Sequence, residues 1–222
     1  MHMITATALF DLSHTIADHY LISFDNPWEA LPGLSEFIIS YGKTLSADAY
    51  DCPQENVWIA KSATVAPSAF IGAPCIICEG AEIRHCAYIR GSAIVGKGAV
   101  VGNSCELKNC ILFDGVQVPH YNYVGDSILG YKAHMGAGSI TSNVKSDKTN
   151  VSIRTDEGRI ETGMRKLGAL VGDLVEVGCN CVLNPGTVLG RGVSVYPLTS
   201  VRGLIPADHI VKSDAEIVLR KH

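Results

Sequence analysis

The chain has 222 residues, of which 47% are hydrophobic and 18% are charged, so it is expected to fold around a sizeable core. Its formal net charge of −4 provides no basic face for nucleic acid, and no apolar run is long enough for a membrane span. The 22 glycines and only 7% aromatic residues indicate a structure built from small residues and turns. The first residues lack the basic start of a secretory signal, so a cytoplasmic protein is expected.

Residues 1–52 predict a small helical domain. Ser13 is placed to cap a short helix, and Pro27 stands at the first turn of another. The spacing of Leu34, Ile38 and neighbouring apolar residues predicts a third helix. We expect this segment to cover the first coil of the repeat that follows it, which would otherwise expose the end of the core.

From Trp58 onward an aliphatic residue recurs at every sixth position. One ladder contains Ile59, Val65, Ile71, Ile77, Ile83, Ile89, Val95, Val101 and Leu107, and the second contains Val171, Val177, Leu183, Leu189, Val195 and Val201. A period of six suits a short strand followed by a tight turn, and three such units make one coil of a triangular parallel β-helix. The ladders predict an all-β domain over residues 53–205, with residues 206–222 as a C-terminal tail.

The repeat stops within the second half of the chain. Residues 144–168 alternate around a turn at Asp156–Gly158, which predicts a β-hairpin inserted into the β-helix. Loops that leave a rigid scaffold frequently carry function.

The eight cysteines do not form a zinc-ligand pattern. Cys75 and Cys78 make one CxxC pair, but no second pair follows at the spacing of a zinc site. Cys75, Cys105 and Cys181 occupy the position two before an aliphatic, where small residues predominate. They are therefore interpreted as packing residues, and no metal is expected.

Residues 89–143 resemble the acetyltransferase domain of the bifunctional N-acetylglucosamine-1-phosphate uridylyltransferase/glucosamine-1-phosphate acetyltransferases. The motifs that carry the resemblance are E-x-K at Glu106–Lys108, H-x-x-Y-x-G-D at His120–Asp126 and G-A-G-x-I-T-x-N at Gly136–Asn143. The region after the hairpin resembles stand-alone proteins related to UDP-N-acetylglucosamine pyrophosphorylases. No counterpart of the uridylyltransferase nucleotide loop is found.

The resemblance implies a left-handed β-helix, a homotrimer with sites between neighbouring prisms, and acetyl-CoA-dependent N-acetylation of an amino-sugar phosphate similar to glucosamine-1-phosphate. Carried over residue by residue, it implies His120 as general base, Arg90 and Lys108 on the sugar phosphate, Tyr123, His134 and Asn143 on the sugar, and Ala137, Gly138 and Cys179 on the coenzyme. An imidazole that titrates near neutrality suits removal of a proton from an amine, and fixed cations suit a phosphate.

Three positions depart from the family pattern. His134 stands where the family has asparagine, Val144 where it has tyrosine, and Cys179 where it has serine. These departures leave the acceptor sugar open and leave an alternative, a non-catalytic trimeric β-helix that regulates or oligomerises a nucleotidyltransferase. A γ-type carbonic anhydrase is disfavoured because Gly125 stands where its third histidine is expected.

Overall fold

A computed structural model describes residues 4–213 and 216–220. The helices are α1 (Ala6–Leu9), α2 (Asp18–Ile22) and α3 (Leu34–Gly42), with 3₁₀ turns at Leu12–His14 and Pro27–Ala30. The strands in chain order are β1 (Tyr50–Gln54), β2 (Val57–Ala60), β3 (Thr64–Val65), β4 (Phe70–Ile71), β5 (Cys75–Ile77), β6 (Glu82–Ile83), β7 (Tyr88–Ile89), β8 (Ala93–Val95), β9 (Val100–Asn103), β10 (Glu106–Leu112), β11 (Gln117–His120), β12 (Tyr123–Leu129), β13 (His134–Met135), β14 (Ile140–Thr141), β15 (Ser152–Thr155), β16 (Gly158–Glu161), β17 (Ala169–Val171), β18 (Glu176–Val177), β19 (Val182–Leu183), β20 (Thr187–Leu189), β21 (Ser194–Val195), β22 (Ser200–Val201), β23 (Leu204–Ile205), β24 (His209–Ser213) and β25 (Glu216–Leu219).

The strands stack in parallel along three faces of a prism. Face A contains β2, β5, β8, β17, β20, β23 and the C-terminal halves of β10 and β12. Face B contains β3, β6, β9, β11, β13, β18, β21 and β24, and face C contains β4, β7, β14, β19, β22 and the N-terminal halves of β10 and β12. Strands β10 and β12 bend from face C to face A at Asn109 and Asp126, which adopt φ values of 50° and 47°. The predicted parallel β-helix is therefore confirmed.

The aliphatic ladders point into the prism, as the six-residue period predicts. From Ile77 to Val201 every ladder residue is at most 4% exposed, whereas Ile59, Val65 and Ile71 are half-buried in the first coil. Each fully buried aliphatic side chain contributes roughly 1.5–3 kcal/mol relative to an exposed one. The stacked ladder is thus the main stabilising feature of the prism.

Face A is also covered from outside, by the N-terminal helices. Helix α3 packs on β5, β8 and β10, and the turn at Pro27–Ala30 packs on β12. Nearer the chain start, Leu9 accepts a hydrogen bond from the Asp173 amide (3.1 Å), and the Asp173 carboxylate accepts one from the Asp11 amide (2.6 Å). The helical segment is present as predicted, but it runs along face A, where Gly42 contacts Trp58 of the first coil, and it leaves Ile59, Val65 and Ile71 at the end of the prism half-buried.

The cause of this placement is the outward surface of face A. Its outward side chains form a second aliphatic row that is completely buried: Ile76, Ile94, Ile111, Ile128, Leu170 and Val188. Packing the helices against this row removes its apolar side chains from water, which favours their place on face A. Among the described residues, the N-terminal helices cover face A and leave faces B and C open.

The inserted hairpin and the C-terminal residues complete the fold. Strands β15 and β16 pair in an antiparallel manner between residues 144 and 168, so the predicted hairpin is present. Within residues 206–222, β24 continues face B and β25 folds back on it. Residues 214–215 and 221–222 of that segment lie outside the described residues.

The cysteine environments give a testable count of reactive thiols. Cys52, Cys86 and Cys179 are exposed, and the other five are buried. Burial raises the pKa of the Cys78 and Cys110 thiols to about 12, which suppresses the reactive thiolate. In the native protein we expect a disulfide reagent that releases a coloured thiolate to titrate three thiols rapidly. The other five should react only after denaturation, and rapid reaction of all eight would contradict the buried positions.

Candidate functional site

The corner between faces B and C, here called corner B–C, carries the predicted base and the predicted coenzyme residues in one column. His120 ends β11, and its carbonyl accepts a hydrogen bond from the Gly138 amide (3.0 Å) one coil along. The Ala137 carbonyl accepts in turn from the Asn180 amide (2.8 Å), next to Cys179. The structure therefore brings His120, Ala137, Gly138 and Cys179 together on consecutive coils.

Asn122 holds this corner from inside. Its side-chain amide donates to the carbonyls of Gly136 (2.8 Å) and Ser139 (3.1 Å), and its Oδ1 accepts from the His120 amide (3.1 Å). The residue is only 2% exposed, so loss of this amide would leave buried backbone groups unpaired. Asn122 thus positions both the His120 turn and the Gly136–Ser139 turn, a role that the sequence did not reveal.

The opposite edge of face C, corner C–A, is organised by the buried carboxylate of Asp126. Lys108 Nζ lies 3.0 and 3.1 Å from its two oxygens, Asn109 donates at 2.9 Å, and Asn143 donates at 2.5 Å. The side chain of Asp126 is 4% exposed and that of Lys108 is 27% exposed. A buried carboxylate needs such donors, and here they fix the ammonium and the amide at the surface of the corner.

Two further predicted residues lie beside this cluster. Arg90 pairs through Nη1 with Glu106 (2.9 Å) and makes no other side-chain hydrogen bond within the described residues, so Nε and Nη2 remain available for an anion. The Tyr123 hydroxyl accepts from Asn143 (3.2 Å) and lies against Gly125, where a Cβ would collide with the phenol. Burial, reinforced by the Asp126 carboxylate, raises the pKa of the Tyr123 phenol, so this group stays protonated as a donor.

His134 is separated from the sugar residues of the same chain. It points outward from face B, where its Nδ1 lies 2.8 Å from Glu176 Oε2. This pair lines a groove of about 580 Å³ together with Gln117, Lys132 and two glycines. Within one chain, the predicted residues therefore form two groups on the edges of face C, with His134 on another face.

The surface of corner B–C is formed by closely spaced backbone with exposed side chains beside it. A Cβ on Gly136 would lie 2.7 Å from the Cys179 amide nitrogen, so the backbones of consecutive coils approach each other closely there. Exposed apolar side chains flank it, with Tyr121 at 64% and Leu198 at 79% exposure. The Leu198 amide donates to the Cys179 carbonyl (2.9 Å), which places Leu198 on the same column. An exposed corner with apolar side chains fits the long arm of coenzyme A.

The family model described as GMPPB C-terminal domain matches residues 73–217, about two thirds of the chain. The chain belongs to the GMPPB C-terminal domain family. The match spans every predicted site residue of the column at corner B–C and of the Asp126 cluster.

Curated relatives of this GMPPB C-terminal domain protein include two whose names contain acetyltransferase. A bifunctional sugar-1-phosphate nucleotidylyltransferase/acetyltransferase of Sulfurisphaera tokodaii is 34% identical over 50% of this chain and 28% of its own length. A bifunctional protein GlmU of Methanococcus maripaludis is 30% identical over 91% of this chain and 49% of its own length. The uncharacterized acetyltransferase YaiX of Escherichia coli is 31% identical over 69% of this chain and 74% of its own length.

The chain spans at most about half the length of the bifunctional relatives it matches.

Among the described residues, no group of three or more His, Cys, Asp or Glu side chains is arranged to hold a metal ion. Within the same residues, no helix has the length and apolar character needed to cross a membrane.

Proposed function

We propose that this protein is an acetyl-CoA-dependent N-acetyltransferase that acts on an amino-sugar phosphate. The observation that carries the proposal is the arrangement on face C. His120 and the coenzyme corner lie on one edge, and Lys108, held by the Asp126 carboxylate, lies on the other. Membership of the GMPPB C-terminal domain family, with an acetyltransferase among the relatives, supports it.

His120 is the proposed general base. Its imidazole is exposed and no side-chain partner is recorded for it among the described residues, so it is free to accept a proton from the amine of a bound sugar. The amine nitrogen then forms its bond to the acetyl carbon while the bond from that carbon to sulfur breaks. Acetyl-CoA supplies the activated thioester when bound, and the departing sulfur takes up a proton.

The sugar phosphate is assigned to corner C–A. Lys108 retains a third N–H beyond the two directed at Asp126, and Arg90 retains Nε and Nη2. Asn143 directs its amide N–H groups at Asp126 and at the Tyr123 hydroxyl, so towards the sugar Tyr123 serves as an O–H donor and Asn143 Oδ1 as an acceptor. Because Asp126 fixes these groups before substrate binds, little side-chain entropy is lost on binding.

We further propose that the working unit is a homotrimer. His134 contacts the same sugar as Lys108 only if a neighbouring copy brings its face B against face C. Face A is covered by the chain's own helices, so faces B and C are the ones available. Light scattering at micromolar concentration should give three times the mass of the chain. A mass equal to that of a single chain would contradict the proposed homotrimer.

The activity itself is tested by following thiol release from acetyl-CoA with a panel of amino-sugar phosphates and their unphosphorylated counterparts. Transfer to at least one phosphorylated amino sugar is expected. If no amino sugar is acetylated while the protein remains trimeric, the non-catalytic alternative is favoured.

The phosphate assignment predicts a selective change in KM. Arg90→Ala and Lys108→Ala should each raise KM for the phosphorylated acceptor roughly ten- to hundredfold, the weight of a hydrogen bond to a charged group. The value of kcat should change little, because the phosphate is charged in both the ground state and the transition state. Arg84→Ala is the matched control, since Arg84 also pairs with a glutamate (Glu82, 2.9 Å) but follows a strand of face B. Equal KM effects of Arg84→Ala and Arg90→Ala would contradict the assignment.

A further inference from the structure

The inserted hairpin is docked firmly on the last coils of the prism. Val151 and Ile153 are fully buried. Gly203 has a φ of 76°, and a Cβ there would lie 2.6 Å from the Arg154 carbonyl oxygen. Gly186 has a φ of 78°, with Val151 Cγ1 only 2.8 Å from the place of its Cβ. These contacts fix where the outward side chains of the hairpin point.

Four cations converge between the hairpin and the prism. They line one cavity of about 60 Å³ whose remaining wall is Ser152, Pro185 and Gly203, and the four are Lys145, Arg154, Arg159 and Arg202. No carboxylate lines this cavity. Lys145 has a partner in Asp147 (3.5 Å), whereas no ion pair or side-chain hydrogen bond within the described residues is recorded for the three arginines.

Without a bound anion, the hairpin register makes this cluster of cations electrostatically unfavourable. Arg154 and Arg159 are directly opposite each other in the antiparallel pair, so their side chains project from the same surface. Like charges directly opposite each other destabilise a strand pair. An anion between them would replace that repulsion with charge-assisted hydrogen bonds, which arginine forms well with phosphate.

A second cavity shares two of these arginines. It has a volume of about 300 Å³, borders Arg154 and Arg202, and its other walls include Val201, Ile205 and Ile217. This volume is at the lower end of the range for small-molecule sites, which are largely apolar with a few polar anchors. The two cavities together fit a ligand whose anionic end is attached to a less polar body.

We propose that the hairpin cluster binds the diphosphate of a nucleoside 5′-diphosphate, with the nucleoside in the larger cavity. Four cations match the multiple negative charge of a diphosphate better than that of a single carboxylate. The same chemical group occurs in a free nucleotide, in a nucleotide-linked sugar and in coenzyme A.

This site is distinct from the proposed sugar-phosphate site on the same corner. The strand register places Lys108, Gly125, Ser142, Asn184 and Arg202 on successive coils. At about 4.8 Å per coil, Arg202 is roughly 19 Å from Lys108 along the prism. One phosphate cannot contact both, so the inference does not depend on acetyl transfer.

Binding is measured by calorimetry at fixed ionic strength, with UDP, GDP, ADP, coenzyme A and inorganic phosphate as separate probes. At least one nucleoside diphosphate should bind more tightly than inorganic phosphate. Arg154→Gln and Arg159→Gln should each weaken that binding about tenfold or more. Arg84→Gln, which replaces an exposed arginine away from the cluster, should leave the affinity for the nucleoside diphosphate unchanged. If coenzyme A alone binds and shows the same sensitivity, the diphosphate belongs to the coenzyme.

Thermal melting provides a second readout that does not need an identified ligand. Without added anion, Arg159→Glu should melt above the wild type, because it replaces a cross-strand repulsion with an ion pair. The same variant should lose the stabilisation that the wild type gains from the diphosphate. The proposal is overturned if no probe binds better than inorganic phosphate, if the arginine variants keep wild-type affinity, or if Arg159→Glu is not stabilised.

Discussion

Replacing His120 with alanine is expected to lower kcat by about 10²–10⁴-fold, the usual contribution of general-base catalysis, with little change in KM for either substrate. The side chain is exposed and has no recorded side-chain partner among the described residues, so its removal should not disturb the fold. The turn at residue 120 is held by its backbone carbonyl, which accepts from the Gly138 amide, and by its backbone amide, which donates to Asn122 Oδ1. Alanine retains both of these backbone groups. Steady-state rates of thiol release from acetyl-CoA measure the effect.

A control variant separates catalysis from structure in this experiment. His134→Ala removes another outward histidine, one that pairs with Glu176 on face B, and it should affect KM for the acceptor more than kcat. A large loss of kcat in His120→Ala beside a nearly unchanged kcat in His134→Ala distinguishes the proposed base from a residue that only contacts the sugar. Full turnover of His120→Ala would refute the proposed mechanism.

The sequence predicted the prism because its inward contacts repeat with a fixed period. Ile83, Val101 and Val118 stack in register on consecutive coils, and such local repetition is visible in one chain. The position of the helices could not be read from the same ladder. A signal for it existed in runs such as Cys75–Ile77 and Ala169–Val171, since strands buried on both sides are continuously hydrophobic.

The site was predicted only where a motif carried it. The motif H-x-x-Y-x-G-D contains Asp126, yet the sequence did not show that its carboxylate gathers Lys108 and Asn109 from one neighbouring coil and Asn143 from the other. Such convergence depends on coil register, which a list of motifs does not contain. The separation of His134 from Lys108 could not be seen for the same reason. Successive strands of the motif region lie on different faces, so His134 is on face B and Lys108 is on face C.

Replacing Val101 with aspartate is expected to destabilise the protein by more than about 4 kcal/mol and to abolish the folded state or its soluble yield. Val101 is completely buried between Ile83 and Val118, so the new carboxylate would have no partner and no water. This loss is comparable with the whole stability of an ordinary domain, about 5–15 kcal/mol. The adjacent Val100 is the matched control, since it is half-buried and points outward from the same strand. Val100→Asp should cost about 1 kcal/mol or less, as judged by denaturant unfolding. If the two variants melt alike, the inward register of the ladder is wrong by one residue, because in a strand a one-residue shift exchanges the two sides.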